Sequence, residues 1–389
     1  MPIESTPVLS GRFLRLTAAN FCFFMTFATF FLLPLHVRAL GGSDRTVGFV
    51  MGSLGILSLV GVFVVGLLID RVGCRVFLRI GLLGMALVSL GFAFVNEIVP
   101  WLFILRGLQG LFFAAGFNAA STLAAAFAPP ERRATALGFF GISTLTTHAL
   151  APTIGEQILH YASFQVLFGV ASSFSLLGLV LAWTLPEPPR QLAAPSTRFT
   201  ISRVLGVSLA ATGCCGIAFG SVMTFVPTFA LDAQLGSVSI FYLSYTSMAI
   251  LTRLWAGRMA DDFGLRRMIL PGMALLALSI AGLAAVHSVL AFLAAGLTFG
   301  LGQGVVYPTL NAFSVDLAEA GQLGRVQTFF NGTFNLGVTS GAFVLGPVVH
   351  TFGHRAAFVG AAGCALLAFT LFLGGTRAPA HAAVVSGAR

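Results

Sequence analysis

Long apolar runs alternate with short polar or glycine-containing breaks along most of the chain. A membrane-spanning helix needs roughly 20 apolar residues, and twelve runs reach that length. The first follows Arg12 and Arg15 and continues to about Leu40. It is too long for a signal-peptide core, so we interpret it as a retained helix. The other predicted spans are 46–69, 77–95, 101–127, 134–158, 163–185, 204–231, 238–260, 268–286, 289–314, 325–349 and 355–375.

Composition supports a chain that lies mostly in lipid. Hydrophobic residues make up 57% of it and charged residues 8%, against roughly 45–50% and 25% in soluble domains. We therefore expect an all-α membrane protein with twelve transmembrane helices. A net charge of +9 would suggest a nucleic-acid partner in a soluble protein. Here basic cytoplasmic loops account for the charge, so no nucleic-acid partner is expected.

The hydrophobic pattern is interrupted once, at residues 186–203, by four prolines and three arginines. Such a segment favours a linker between two bundles. We expect a six-helix bundle at 1–185, a cytoplasmic linker at 186–203, a second six-helix bundle at 204–375 and a cytoplasmic tail at 376–389.

A repeated loop links the two predicted bundles. After its second span, each half carries a glycine, an acid, a glycine and an arginine at the same spacing, offset by 191 residues. The first copy is Gly66, Asp70, Gly73 and Arg75, with Arg71 beside the acid, and the second is Gly257, Asp261, Gly264 and Arg266. An internal repeat of this length indicates a duplicated unit.

This spacing resembles the loop signature of the major facilitator superfamily. Cys74 stands where a basic residue is usual, and Asp262 stands where the first copy has Arg71. The resemblance covers the whole chain and implies two parallel six-helix repeats with the substrate site between them near the midplane. It also implies that the loop holds the halves together in the outward-open state, with Asp70 helping to lock the inner gate.

The arginines predict the orientation in the membrane. When successive loops are assigned to alternate sides, sixteen of the 21 arginines fall on the side of the N terminus and three on the other side. Such a bias places both termini in the cytoplasm. We expect a multi-pass protein of the bacterial inner membrane.

Arg106 lies inside the fourth span, where a charge costs roughly 2.5 kcal/mol or more to insert. Gln109 and Gly110 share its helix face. This pattern resembles the fourth-helix motif of proton-coupled exporters in the superfamily, which implies that Arg106 takes part in coupling. The alternative is a structural clamp.

Arg253 lies in line with Gly257 and Asp261, and we expect a structural ion pair there.

Proton coupling also needs a group that titrates during the cycle. His148 and Glu156 share a face of the fifth span, about 12 Å apart along the helix axis, and we predict a proton relay there. The alternatives are a His that completes a polar pocket and a Glu at headgroup level. The exporters' fifth-helix motif is matched here at Pro152 and Gly155 alone.

Two stripes of polar residues repeat every four positions in the C-terminal half, and both should face protein or a wet cavity. Aromatic and amide residues elsewhere could complete a weakly polar pocket, although helix–helix hydrogen bonding is an equally good explanation for any single amide. The predicted substrate-binding residues are Asn20, Phe24, Phe27, Arg106, Gln109, Tyr242, Tyr245, Gln303, Tyr307, Asn311, Asn331 and Asn335, and Gln327 belongs to the second stripe.

The favoured function is secondary active transport of a small organic solute by alternating access, as proton-coupled efflux. The first alternative is uptake or facilitated transport of an organic anion, because no acid lies at the depth of Arg106. A membrane enzyme or a non-transporting receptor is a weaker alternative, since the histidines are scattered. No P-loop and no metal-ligand or disulfide spacing occurs. We expect no metal or cofactor, the proton gradient as energy source, the lipid bilayer and a small-molecule substrate as partners, and a monomer.

Overall fold

The computed structural model describes residues 10–129, 132–187, 201–318 and 322–376. These residues form helices joined by short turns, with no strand among them. The elements are α1 (Gly11–Thr29), a 3-10 turn (Phe30–Leu32), α2 (Leu33–Ala39), α3 (Asp44–Val72), α4 (Cys74–Phe92), α5 (Pro100–Phe127), α6 (Arg133–Tyr161), α7 (Phe164–Trp183), α8 (Arg203–Asp232), α9 (Ser239–Phe263), α10 (Leu265–Leu283), α11 (Val289–Asp316) and α12 (Leu323–Gly375). The expected linker residues 188–200 and tail residues 377–389 lie outside the described part of the chain.

The predicted order of twelve spans is confirmed. The first span comprises α1, the 3-10 turn and α2, and the next nine are α3 to α11. The last two are the parts of α12 on either side of Gly353, whose backbone breaks the helix with φ 82° and ψ 169°. Within the described residues, nine helical runs are long and apolar enough to cross a membrane, the last containing this break. The two other long helices, α6 and α9, carry polar side chains and pack against each other.

Two prolines in the first spans of the two halves, Pro34 and Pro227, have different effects. A 3-10 turn precedes Pro34 and divides the first span into α1 and α2. By contrast, α8 continues without interruption past Pro227. Proline removes one backbone donor in both places, so the surrounding packing decides whether the helix divides.

Contacts at the helix ends define two faces of the bundle. Arg15 Nη1 at the start of α1 donates to Thr184 Oγ1 after α7, over 3.2 Å. Arg266 Nε at the start of α10 donates to Thr376 Oγ1 after α12, over 3.0 Å. Both ends of the described chain therefore lie on one face, which we call the terminal face. We call the opposite one the distal face.

The helices form two equivalent halves, α1–α7 and α8–α12. They pack against each other mainly through α3 with α12 and α6 with α9. The second span of each half thus contacts the span of the other half that corresponds to its fifth. This exchange is the arrangement that a duplicated unit gives when its copies meet about a pseudo-twofold axis.

Close approach of α3 and α12 depends on glycine. A Cβ at Gly48 would lie 2.5 Å from the carbonyl oxygen of Ala342 and 2.7 Å from the Cα of Gly346. Two turns further along, at Gly55, a Cβ would lie 1.5 Å from Thr339 Oγ1. Small residues let helix backbones pack closely in a membrane. The two halves are therefore in tight contact along the distal part of α3.

Candidate functional site

The repeated loops form matching turns on the terminal face. Gly73 joins α3 to α4 with φ 108°, and Gly264 joins α9 to α10 with φ 83°. Both values lie in a region that glycine adopts without strain, which explains why the repeat has glycine there. The side chains of Asp70 and Asp261 lie outside what the structure describes, as do the surroundings of Gly66 and Gly257. The locking role of Asp70 stays a prediction.

The first loop is also bound to the chain that follows α7. The carboxylate of Glu187 accepts hydrogen bonds from the backbone N–H groups of Cys74 and Arg75, over 2.7 and 2.9 Å. A carboxylate at this position satisfies free donors of α4 and interacts favourably with its dipole. Arg71 lies exposed in the last turn of α3. No sequence pattern pointed to Glu187, because it is more than a hundred positions from Cys74 and Arg75 in the chain.

Predicted pocket residues of the first half lie around a cluster of phenylalanines. Phe27 stacks on Phe113 with ring centroids 4.2 Å apart, and Phe24 meets the same ring edge-on at 5.7 Å. Asn20 is fully buried and donates to Thr144 Oγ1 over 2.8 Å, while its side-chain oxygen has no hydrogen-bond partner among the residues that the structure describes. The interior of this half is thus aromatic, with an amide beside it.

The predicted stripes on α11 and α12 do meet. Tyr307 donates its hydroxyl to Asn331 Oδ1 over 3.2 Å. Asn311 and Asn335 lie one turn further along the same two helices. All four side chains are partly exposed, whereas Gln303, one turn from Tyr307 in the distal direction, is buried. Tyr307, Asn331 and Asn311 therefore lie toward the terminal side of Gln303, and Asn335 lies one turn deeper than Asn331.

The two tyrosines on α9 have different surroundings. Tyr245 lies 3.4 Å from His148 Nδ1, so this hydroxyl and imidazole form a contact between the halves. Tyr242 is fully buried, stacks on Phe31 at 5.4 Å and donates to the backbone oxygen of Met223. In this conformation Tyr242 packs between the halves, out of reach of a solute.

Arg106 is buried, with 4% of its surface exposed. Its guanidinium donates to the side-chain oxygen of Gln109, lies 3.5 Å from the sulfur of Met51 and lies over the ring of Phe30 at 5.7 Å. Its Nε has no hydrogen-bond partner among the residues described. The predicted pairing of Arg106 with Gln109 on one face is therefore present, and the three contacts are neutral groups.

Glu156 binds the first turn of α9 from the other half. Its carboxylate accepts the backbone N–H groups of Val238 and Ser239, over 2.7 and 2.9 Å, together with the hydroxyls of Ser237 and Ser239. His148 lies two turns away and contacts Tyr245 instead. Both residues of the predicted relay thus meet the opposite half, at different depths, and the relay itself stays a prediction.

Arg253 lies near the middle of the interface and is partly exposed. It is close enough to interact electrostatically with Tyr245 and Tyr307, and its Nε has no hydrogen-bond partner in the described residues. The ion pair that we expected with Asp261 involves a side chain outside that description.

A group of charged residues joins the halves at the distal face. Arg38 Nη2 lies 2.9 Å from Asp232 Oδ1, across the two halves, and its Nη1 lies 3.3 Å from Asp44 Oδ2. His354 lies beside both carboxylates. We call these four residues the distal cluster. Sequence reasoning missed it, and the one available signal was that all four lie at span ends on the same predicted side.

Two equivalent bundles of membrane-spanning helices, with polar and aromatic side chains between them, define a multi-pass membrane transporter rather than an enzyme. The chain belongs to the Major Facilitator Superfamily, whose profile it matches over residues 16–252 and 209–388.

Several known proteins resemble the chain over nearly its whole length. It is 24% identical to a "Multi-drug resistance efflux pump PmrA homolog" of Lactococcus lactis, over 84% of this chain and 85% of the relative. It is 22% identical to the "Staphylopine export protein" of Staphylococcus aureus, over 89% and 91%. The crystal structure of the nucleoside transporter NupG superposes with a TM-score of 0.79 at 15% identity, over 94% of this chain and all of that one. The last comparison shows the fold alone.

Proposed function

We propose that the protein exports a small organic solute by alternating access, driven by the proton gradient. The efflux and export proteins among its relatives support the direction. The observation that carries the proposal is the distribution of contacts between the halves: the distal face is joined by Arg38 with Asp232 and by Glu156 with Ser237 and Ser239. Polar side chains on the terminal side, such as Asn311 and Asn331, are partly exposed.

This distribution fits one state of a two-state cycle. A solute that enters from the terminal face would meet Asn311, the pair of Tyr307 with Asn331, and the phenylalanines of the first half. Opening of the distal face would then require the Glu156 and Arg38 contacts to break while the terminal loops close. With both termini in the cytoplasm, this cycle is export, from a monomer in a bacterial inner membrane.

Arg106 is the proposed coupling residue. Its contacts are an amide, a thioether and an aromatic ring, and a buried guanidinium with such neutral neighbours is costly in a membrane. Arrival of an anionic group on the substrate, or removal of a proton from a group within electrostatic range, would lower that cost. Arg106 is thereby able to link occupancy to the protonation state.

The test is transport in everted membrane vesicles or proteoliposomes with an imposed pH gradient. We expect a fluorescent organic cation to accumulate when the lumen is acidic and to be released when an ionophore collapses the gradient. Arg106→Ala should abolish the dependence on the gradient, and the neutral neighbour change Met51→Leu should preserve it. Flux that is the same with and without the gradient would show facilitated diffusion instead.

A second function, uptake of an organic anion, is favoured by the same guanidinium. A carboxylate or phosphate on the substrate could be the partner that Arg106 lacks among the described residues. Competition assays separate the two proposals, because uptake predicts that anions inhibit and that cations do not. Loss of anion competition in Arg106→Ala, with cation transport absent from the start, would favour uptake.

A further inference from the structure

The distal cluster is assembled from four distant parts of the chain. Arg38 ends α2 and Asp44 begins α3 in the first half, while Asp232 ends α8 and His354 follows the break at Gly353 in the second. Asp44 and His354 are each 9% exposed. The cluster is therefore a polar site with two buried members, Asp44 and His354, and a more exposed rim formed by Arg38 and Asp232, and it exists when the two halves are in contact.

Arg38 uses one oxygen of each carboxylate and leaves the other. Its two nitrogens contact Asp44 Oδ2 and Asp232 Oδ1. The remaining oxygens face His354, with Asp44 Oδ1 at 3.9 Å from Nε2 and Asp232 Oδ2 at 3.7 Å from Nδ1. Asp44 Oδ1 is inaccessible to solvent and accepts no hydrogen bond in the described structure. A buried carboxylate oxygen without a donor is costly.

The hydrogen bonds of Thr228 assign the imidazole tautomer. Its hydroxyl donates its single hydrogen to the backbone oxygen of Phe225 over 3.1 Å. With that hydrogen used, the hydroxyl oxygen accepts from His354 Nε2–H, which lies 2.9 Å away. In the neutral ring the lone pair is then on Nδ1, which faces Asp232 Oδ2. Asp232 Oδ2 then faces a lone pair rather than a donor, and Asp44 Oδ1 accepts no hydrogen bond in the described structure.

We propose that Asp44, Asp232 and His354 bind a divalent transition-metal ion such as Zn²⁺, and that the ion holds the distal face closed. One ligand atom from each of the three residues lies within 4.8 Å of the others. Imidazole nitrogen with carboxylate oxygen is a ligand set that such ions favour. Ligands around Zn²⁺ are about 3.4 Å apart in tetrahedral geometry, so the side chains would move inward by about 1 Å. Asp232, which is 38% exposed, has room to do so.

Arg38 is the internal competitor of the ion. The two carboxylates carry two negative charges, and the neutral imidazole adds none. The guanidinium of Arg38 reduces the net charge of the cluster to one negative charge. Replacement of Arg38 by glutamine should therefore tighten metal binding, while removal of a ligand weakens it. This opposite response distinguishes a metal site from a structural ion-pair network, which either change would simply disrupt.

The inference rests on the proposed gating of the distal face, yet its test needs no substrate. We would titrate full-length detergent-purified protein with Zn²⁺ by calorimetry. One site per chain is expected, with affinity reduced on the order of tenfold or more in Asp44→Asn and His354→Ala and raised about tenfold in Arg38→Gln. His350→Ala is the matched control, because His350 is exposed near the same end of α12, and it should bind as the parent does.

A second measurement tests the closing effect. Spin labels at Tyr161 and Phe352, which are exposed on opposite halves of the distal face, should give a narrower and shorter distance distribution with Zn²⁺. The same labels in Asp44→Asn should not respond. Binding that is unchanged in both ligand variants would overturn the proposal, as would binding without a change in the distances. A response of the labels to pH alone, with no heat of Zn²⁺ binding, would also overturn it and identify a proton in place of the metal.

Discussion

Replacement of Glu156 by glutamine should loosen the distal face. The Glu156 carboxylate accepts two backbone N–H groups at the start of α9, Val238 at 2.7 Å and Ser239 at 2.9 Å. A hydrogen bond to a charged group contributes about 1.5–3 kcal/mol, so two at the lower end give about 3 kcal/mol. Glu156 is partly exposed, and screening by solvent reduces this to about 1.5 kcal/mol. The distally open population should rise about tenfold.

The assay is the labelling rate of a cysteine at Phe31 by a membrane-impermeant maleimide. Phe31 is 7% exposed and stacks on Tyr242 of the other half, so it reacts when the distal face opens. Glu156→Gln should speed labelling about tenfold. Gln157→Ala changes an exposed neighbour on the same helix and should leave the rate unchanged. Equal rates in all three proteins would refute the assignment of Glu156 as a contact that closes the distal face.

Three further predictions concern the gate, the coupling residue and the helix contact. Asp70→Asn should slow turnover in proteoliposomes without loss of folded protein by gel filtration, and full transport would contradict the locking role. Arg106→Lys should keep part of the gradient-driven flux that Arg106→Ala loses, and equal activity of the two variants would exclude a charge-dependent role. Gly55→Ala places a Cβ 1.5 Å from Thr339 Oγ1 and should lower the midpoint of thermal unfolding. In the control Gly138→Ala the new Cβ meets no atom within 4 Å, so the midpoint should stay the same or rise, since alanine stabilises a helix by about 1 kcal/mol relative to glycine. A Gly55→Ala midpoint equal to that of the parent would contradict the close packing.

The sequence predicts contacts along a helix better than contacts between helices. The lengths of the apolar runs gave the spans. The four-residue period of the stripes predicted that each faces protein or a wet cavity, and in the structure Tyr307 of one stripe contacts Asn331 of the other. The same reasoning paired His148 with Glu156 because they share a face of one helix. It could not show that Glu156 reaches the start of α9, because that contact depends on how the two halves dock.

The distal cluster shows the same limit. Its two halves, Arg38 with Asp44 and Asp232 with His354, are separated by almost two hundred residues, and no periodicity relates them. Tyr242 shows the converse limit: the sequence predicts that it lines a pocket, whereas in this conformation the docked halves bury it completely.

The break at Gly353 has a mechanical consequence. A single residue with φ 82° separates the two parts of α12, so no flexible loop connects them. His354 is the first residue after this break. We therefore expect the distal end of the second half to move as a rigid body together with its helical bundle. Opening of the distal face should then occur at the rate of a rigid-body domain motion, on the microsecond-to-millisecond scale, rather than at the faster rate of a flexible loop.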